Sequence, residues 1–188
     1  MFIQTESTPN PATLKFLPGQ TVLEMGTADF PTADTSDASP LAQRIFAVEG
    51  VSGVFFGTDF VTVTKTDDMD WQVIKPLVLG AIMDHYTSGQ PLLLDGAAGN
   101  DENDTFADDD ADPDVIEQIK ELIETRVRPA VAQDGGDIIY KGFKGGTVYL
   151  HMRGACAGCP SSTMTLKSGI ENMLRHYVPE VTQVEAVL

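Results

Sequence analysis

Cys156 and Cys159 are the chain's only cysteines, and they stand together in the run Gly154-Ala155-Cys156-Ala157-Gly158-Cys159-Pro160. A C-x-x-C pair supplies two thiolates, whereas zinc and the common iron-sulfur clusters usually take four. One chain therefore offers half a site. Three chemistries fit that count: the pair cycles between dithiol and disulfide, two chains pool their thiolates around one metal centre, or other residues complete the ligand set. The glycines let backbone N–H groups approach sulfur closely, because no Cβ intrudes. The motif lies between an expected strand and an expected helix, whose free N–H groups and partial positive charge favour thiolate over thiol. A cluster and a redox disulfide are served equally by these features. The plainest alternative, two cysteines that merely pack, is disfavoured because a glycine-rich loop offers little core to fill.

The competing ligands are few. Thioredoxin-like chemistry also uses a strand followed by a helix, but residues 115–188 make a short segment for that fold. A zinc site needs two more ligands. His151 is the one histidine nearby, and in an alternating strand it faces opposite to Val148, Leu150 and Met152, which reads as a solvated side chain. His176 falls at the far end of its helix and His85 in the other half of the chain, so neither has ligand spacing. Asp134 and Asp137 flank Gly135 and Gly136 but lack the run of oxygen ligands and terminal Glu of a calcium loop, and read as a tight turn. No Ser-His-Asp order and no phosphate-binding glycine loop is present.

Elements must position the pair. Downstream, Val115 to Ala132 has helical spacing at Ile116, Ile119, Ile123, Val127 and Ala130, with Pro129 threatening its last turn. Gly135 and Gly136 break the chain. Ile138 to Lys141 and Thr147 to Met152 then predict a hairpin turning at Lys144-Gly145-Gly146. The cysteines follow directly. Ser161 or Ser162 caps a helix bearing Met164, Leu166, Ile170, Met173 and Leu174, and Thr182 to Val187 closes as a strand. Upstream, Thr13 to Leu17 reads as a strand, and Ser39-Pro40 starts a helix with Leu41, Ile45 and Val48 on one face, ending near Gly50. Val51 to Phe56 and Phe60 to Lys65 predict a second hairpin. Asp70 caps a helix through Tyr86, with Trp71, Ile74, Val78 and Ile82 in one stripe and Pro76 as a kink. Trp71, Phe55, Phe56 and Phe60 read as core of this half.

The charge of −16 over 188 residues is unevenly placed. Residues 1–94 hold 11 acidic and 4 basic side chains, 95–114 hold 9 and 0, and 115–188 hold 8 and 8. Such a balance argues against nucleic acid, which needs a basic face. The acidic stretch 95–112 has only Phe106 to bury and reads as a solvated, disordered linker rather than a docking segment. The expected organisation is α+β: two small α+β domains, 1–94 and 113–188, joined by a flexible acidic linker, 95–112. No run of about 18 apolar residues is present to cross a bilayer, so no membrane role is expected. Residues 1–7 resemble neither a secretory signal nor an Arg-rich transit peptide, and read as a bacterial cytoplasmic chain or an organellar matrix chain already trimmed.

Gly154-x-Cys156-x-x-Cys159-Pro160-x-Ser162-x-x-Thr165-Leu166, preceded by Arg128-Pro129 and Asp134-Gly135-Gly136-Asp137, resembles the C-terminal domain of NifU-like proteins, the Nfu family of iron-sulfur scaffolds and carriers. Thr8-Pro9-Asn10-Pro11 and Leu14-Lys15-Phe16 are similar to the N-terminal domain that accompanies it. The first half lacks the cysteines of the assembly domain of nitrogen-fixation NifU, so that chemistry does not carry over. The resemblance implies that Cys156 and Cys159 of two chains hold one [4Fe-4S] cluster at a homodimer interface. It also implies delivery to recipient apo iron-sulfur proteins with the help of other cluster-assembly factors, and no enzymatic turnover. A thiol-disulfide oxidoreductase using the same two cysteines is the alternative, and a zinc ion bridging two chains the third.

Overall fold

A computed structural model describes residues 1–95, 108, 112–158 and 160–187. Apart from Asp95, Asp108 and Asp112, the expected acidic linker lies outside these residues, as does Cys159. The chain forms two compact units, Met1–Asn100 and Asp101–Leu188, both α+β. Among the described residues no helix is long and apolar enough to cross a membrane.

In the first unit, β1 (Gln4–Ser7), β2 (Thr13–Leu17), β3 (Ala28–Phe30), β4 (Val51–Phe56) and β5 (Val61–Lys65) make an antiparallel sheet in the order β1-β2-β5-β4-β3. Alternate residues Phe16, Val54, Phe56, Val61 and Val63 share one core with Leu41, Ala42 and Ile45 of α1 (Pro40–Phe46) and with Ile74, Val78 and Ile82 of α2 (Trp71–Ser88). This is the period-2 face of a sheet covered by 3.6-period stripes. Ser39 caps α1, its Oγ accepting from Ala42 N at 3.1 Å, and Asp70 caps α2 by accepting from Gln72 N at 2.9 Å. Helix α2 runs through Pro76, which stands on its exposed side, where forgoing one backbone bond costs least. Phe56 joins the expected core, whereas Phe55 is buried on the opposite side of the sheet, packed with Phe60.

The second unit opens with α3 (Pro113–Leu122), capped by Asp112, and continues through a π-helical turn, Ile123–Val127, into α4 (Arg128–Gln133). Pro129 does not end the helix. It has no N–H and crowds the preceding turn, and the chain widens there so that Arg128 N–H reaches Ile123 O, five residues back. Strands β6 (Gly136–Lys144) and β7 (Thr147–Gly154) form an antiparallel hairpin closed by Gly145-Gly146. Helix α5 (Pro160–Tyr177) crosses to β8 (Gln183–Val187), which lies parallel to β7 in the order β6-β7-β8. It starts at Pro160, before the serines expected to cap it. One core holds Ile119, Ile123 and Val127 from the first helical run, Ile138, Val148, Leu150 and Met152 from the hairpin, and Ile170 and Leu174 from α5.

Candidate metal centre

Gly154 ends β7 with φ 60°, a left-handed conformation that turns the chain sharply into residues 155–158 before α5. Ala157 N–H donates to Gly154 O at 3.1 Å, and Cys156 N–H to Arg153 O at 3.3 Å. From the other side, Ala155 N–H donates to Gly135 O at 3.1 Å, and Thr163 Oγ1 in the first turns of α5 donates to Cys156 O at 3.2 Å. The loop is thus tied to the strand before it, to the helix after it and to the glycine pair across the hairpin.

Gly136 opposes Gly154 in the ladder and passes directly beneath the thiol. A Cβ at 136 would lie 2.4 Å from Cys156 Sγ, 2.9 Å from Arg153 O and 3.0 Å from Cys156 N. Only glycine leaves room for the sulfur there. The motif Asp134-Gly135-Gly136-Asp137 is therefore more than a turn. Asp134 ends α4, Gly135 redirects the chain, Gly136 forms the floor of the cysteine seat, and Asp137 fastens β6 to α4. Asp137, 3% exposed, takes a two-pronged bond from Arg128, Nε to Oδ1 and Nη2 to Oδ2 both at 2.9 Å, and accepts from Ile138 N–H at 2.8 Å. Arg128 also reaches Glu124 one turn earlier. The guanidinium is held charged beyond its ordinary range, chiefly by the hydrogen bonds it donates to Asp137. The pairing of Arg128 with Asp137 is not among the expectations drawn from the sequence. Opposite charges flanking a predicted helix-to-strand turn were the available signal.

The thiol itself departs from expectation in two ways. Cys156 is 6% exposed and belongs to the core of its unit, although a glycine-rich loop promised little core to fill. Burial first, then the nearby charges of Asp134 and Asp137, push its pKa up to about 12, against the expected bias toward thiolate. Desolvation outweighs any pull from the start of α5 because the sulfur is turned inward. The seat fits a sulfur ligand in shape, and a metal bound there would have to displace the proton.

Other candidates do not converge on it. His151 is half-buried in β7 on the side opposite Val148, Leu150 and Met152, His176 is exposed near the end of α5 beside Tyr177, and His85 is a core residue of the other unit. Among the described residues no three His, Cys, Asp or Glu side chains come together as a metal-ion site. Cys159, the second expected ligand, lies outside the described residues.

Two family models match the chain: the scaffold protein Nfu/NifU N-terminal domain over residues 3–89, and the NifU-like domain over residues 119–185. NifU-like protein 4, mitochondrial, of Arabidopsis thaliana is 57% identical over 98% of the chain, which spans 65% of that protein. NifU-like protein 5, mitochondrial, of the same plant is 56% identical, with 98% of the chain covering 67% of it. The human NFU1 iron-sulfur cluster scaffold homolog, mitochondrial, is 51% identical over the whole chain and 72% of its own length. The bacterial cytoplasmic setting expected from residues 1–7 is overturned by these relatives, all mitochondrial by name. Because they are longer than the chain, its first residues carry no information about an address. Two domain matches in the expected order and relatives more than half identical across both place the chain in the Nfu family of NifU-like iron-sulfur cluster scaffold proteins.

Proposed function

We propose that the chain carries a [4Fe-4S] cluster as cargo, held between two copies by Cys156 and Cys159 of each, and hands it to apo iron-sulfur proteins. The observation that supports this reading most is the Cys156 seat, a sulfur pocket floored by Gly136 at the junction of β7 and α5. The motif adds a second thiol three residues on, so one chain supplies two ligands and two chains four. Four thiolates leave the bound cluster with net negative charge, which two helix N-termini partly offset. The even balance of charge in residues 115–188 makes contact between two C-terminal domains less costly than contact elsewhere. Recipient thiolates can then replace the donor's one at a time, as a carrier requires. In this reading residues 113–188 are the carrier domain, 95–112 the connection, and 1–94 the module that recognises recipients or other assembly factors.

Disulfide exchange is the weaker reading. Attacking thiols of redox C-x-x-C pairs have lowered pKa values and exposed sulfurs, whereas Cys156 is buried and its pKa raised.

Anaerobic reconstitution with iron and sulfide tests the proposal. The wild-type chain should gain the absorption and Mössbauer signature of a four-iron cluster and sediment as a dimer, while Cys156→Ser and Cys159→Ser each fail to hold it. Wild-type iron content in either variant, or a loaded monomer, would overturn the shared four-thiolate site.

A further inference from the structure

Strand β6 stands at the edge of its sheet, with β7 on one side and, among the described residues, no strand on the other. Edge strands present unpaired N–H and C=O groups that can template pairing with another chain. The β6 ladder also shifts register between Tyr140 and Gly142, a bulge of the kind that re-aims neighbouring groups. Just past it, Phe143 N–H points outward and donates to Asp108 Oδ1 at 3.1 Å. The same carboxylate oxygen accepts from the Tyr140 hydroxyl at 2.6 Å. Lys120 of α3 sits over the Tyr140 ring, its Nζ 5.1 Å from the ring centre, which adds positive charge beside the carboxylate. Asp108 belongs to the acidic run expected to be a free spacer.

We propose that Asp108 is a ligand for its own C-terminal domain: its carboxylate docks in a notch made by the Tyr140 hydroxyl and the outward Phe143 N–H, covering part of the open edge of β6. The notch recognises a carboxylate. One oxygen satisfies a side-chain donor and a main-chain donor together, so the contact fixes position along the strand as well as charge. It moves the anchored end of the interdomain connection from Asp112, the cap of α3, back to Asp108. It also leaves less of β6 open to a second chain. Burial and the bond to Asp108 both hold the Tyr140 phenol protonated beyond its ordinary range, in keeping with a hydroxyl that donates. This inference is independent of the cluster reading and stands or falls without it.

Amide hydrogen exchange on the full-length chain without cluster reads the contact directly. In the wild type, Phe143 N–H should be protected although, among the described residues, no strand pairs with it on that side. Asp108→Ala should speed its exchange about tenfold, the loss expected for a hydrogen bond to a charged acceptor, while the amides that bond β6 to β7 keep their rates. Asp109→Ala and Asp110→Ala should leave Phe143 protected. Tyr140→Phe, which removes one of the two donors, should give a smaller rise than Asp108→Ala. Unchanged protection in Asp108→Ala would sink the proposal. So would an equal effect from Asp109→Ala, or a uniform rise across the hairpin, since either would mean that no specific notch holds Asp108.

Discussion

At the scale of single residues, a methyl group is the most direct probe of the Cys156 seat. Gly136→Ala sets a Cβ 2.9 Å from Arg153 O and 3.0 Å from Cys156 N, both backbone atoms that cannot swing away. Overpacking of this kind costs about 1–3 kcal/mol. Gly80→Ala makes the contrast: Gly80 lies within α2, an added Cβ there meets nothing within 4 Å, and alanine is the better helix former by about 1 kcal/mol. Urea melts should therefore show the C-terminal domain weakened by Gly136→Ala and the N-terminal domain strengthened by Gly80→Ala. If Gly136→Ala melts like the wild type, the loop is soft enough to move aside and the seat is not built. The importance of Gly136 was visible in the sequence only as a member of a motif. Its partner in space, Cys156, is brought to it by the hairpin register, which no local pattern encodes.

Among the elements, α2 carries a titrating group in its buried stripe. The sequence spaced Ile74, Val78 and Ile82 correctly, and His85 continues the same face at 1% exposure. Its Nδ1 has no hydrogen-bond partner among the described residues, and burial, then the charge of Arg44, lowers its pKa. A base whose folded pKa is depressed stays neutral in the fold while the unfolded chain takes up protons. The resulting stability is present above the unfolded pKa, about 6.5, and is lost as pH falls below it. The thermal midpoint of the N-terminal domain should drop by several degrees between pH 7 and pH 5, and His85→Phe should flatten that slope. Equal slopes in both proteins would show that His85 does not carry the effect. Helices and central strands were legible because burial writes a period into them. Strand β1 was not: Gln4, Glu6 and Ser7 are exposed at a sheet edge, so no alternation marks it, and β3 is three residues long. The π-helical turn before Pro129 was hidden for another reason, since the helical stripe continues through it unchanged.

For the whole molecule, the sequence's two-part division rests on composition: an acidic run with one aromatic residue between two stretches rich in periodic apolar residues. Each unit has its own core. Calorimetry of the full chain should therefore resolve two transitions, with Gly136→Ala shifting one and His85→Phe the other, and a fragment 113–188 should unfold at the temperature of its own transition. A single transition moved by both substitutions would mean one cooperative body. The acidic composition read as solvation, the ordinary reading of a run of like charge taken alone. What composition could not show is that a strand edge far along the chain offers Asp108 two donors, because edge exposure is a property of the folded sheet.

In the proposed carrier role, the inward, protonated thiol of Cys156 has a consequence for survival between loads. Sulfur is oxidised by peroxide as the thiolate, and the step to sulfenic acid and beyond follows thiolate fraction and access. A carrier must spend part of its life empty, in the same compartment as the iron chemistry it serves. Buried to 6% exposure and with its pKa pushed up to about 12, the thiol keeps both quantities low. The glycine floor that makes room for the sulfur therefore also shelters it, so that a thiol proposed to bind again stays reduced.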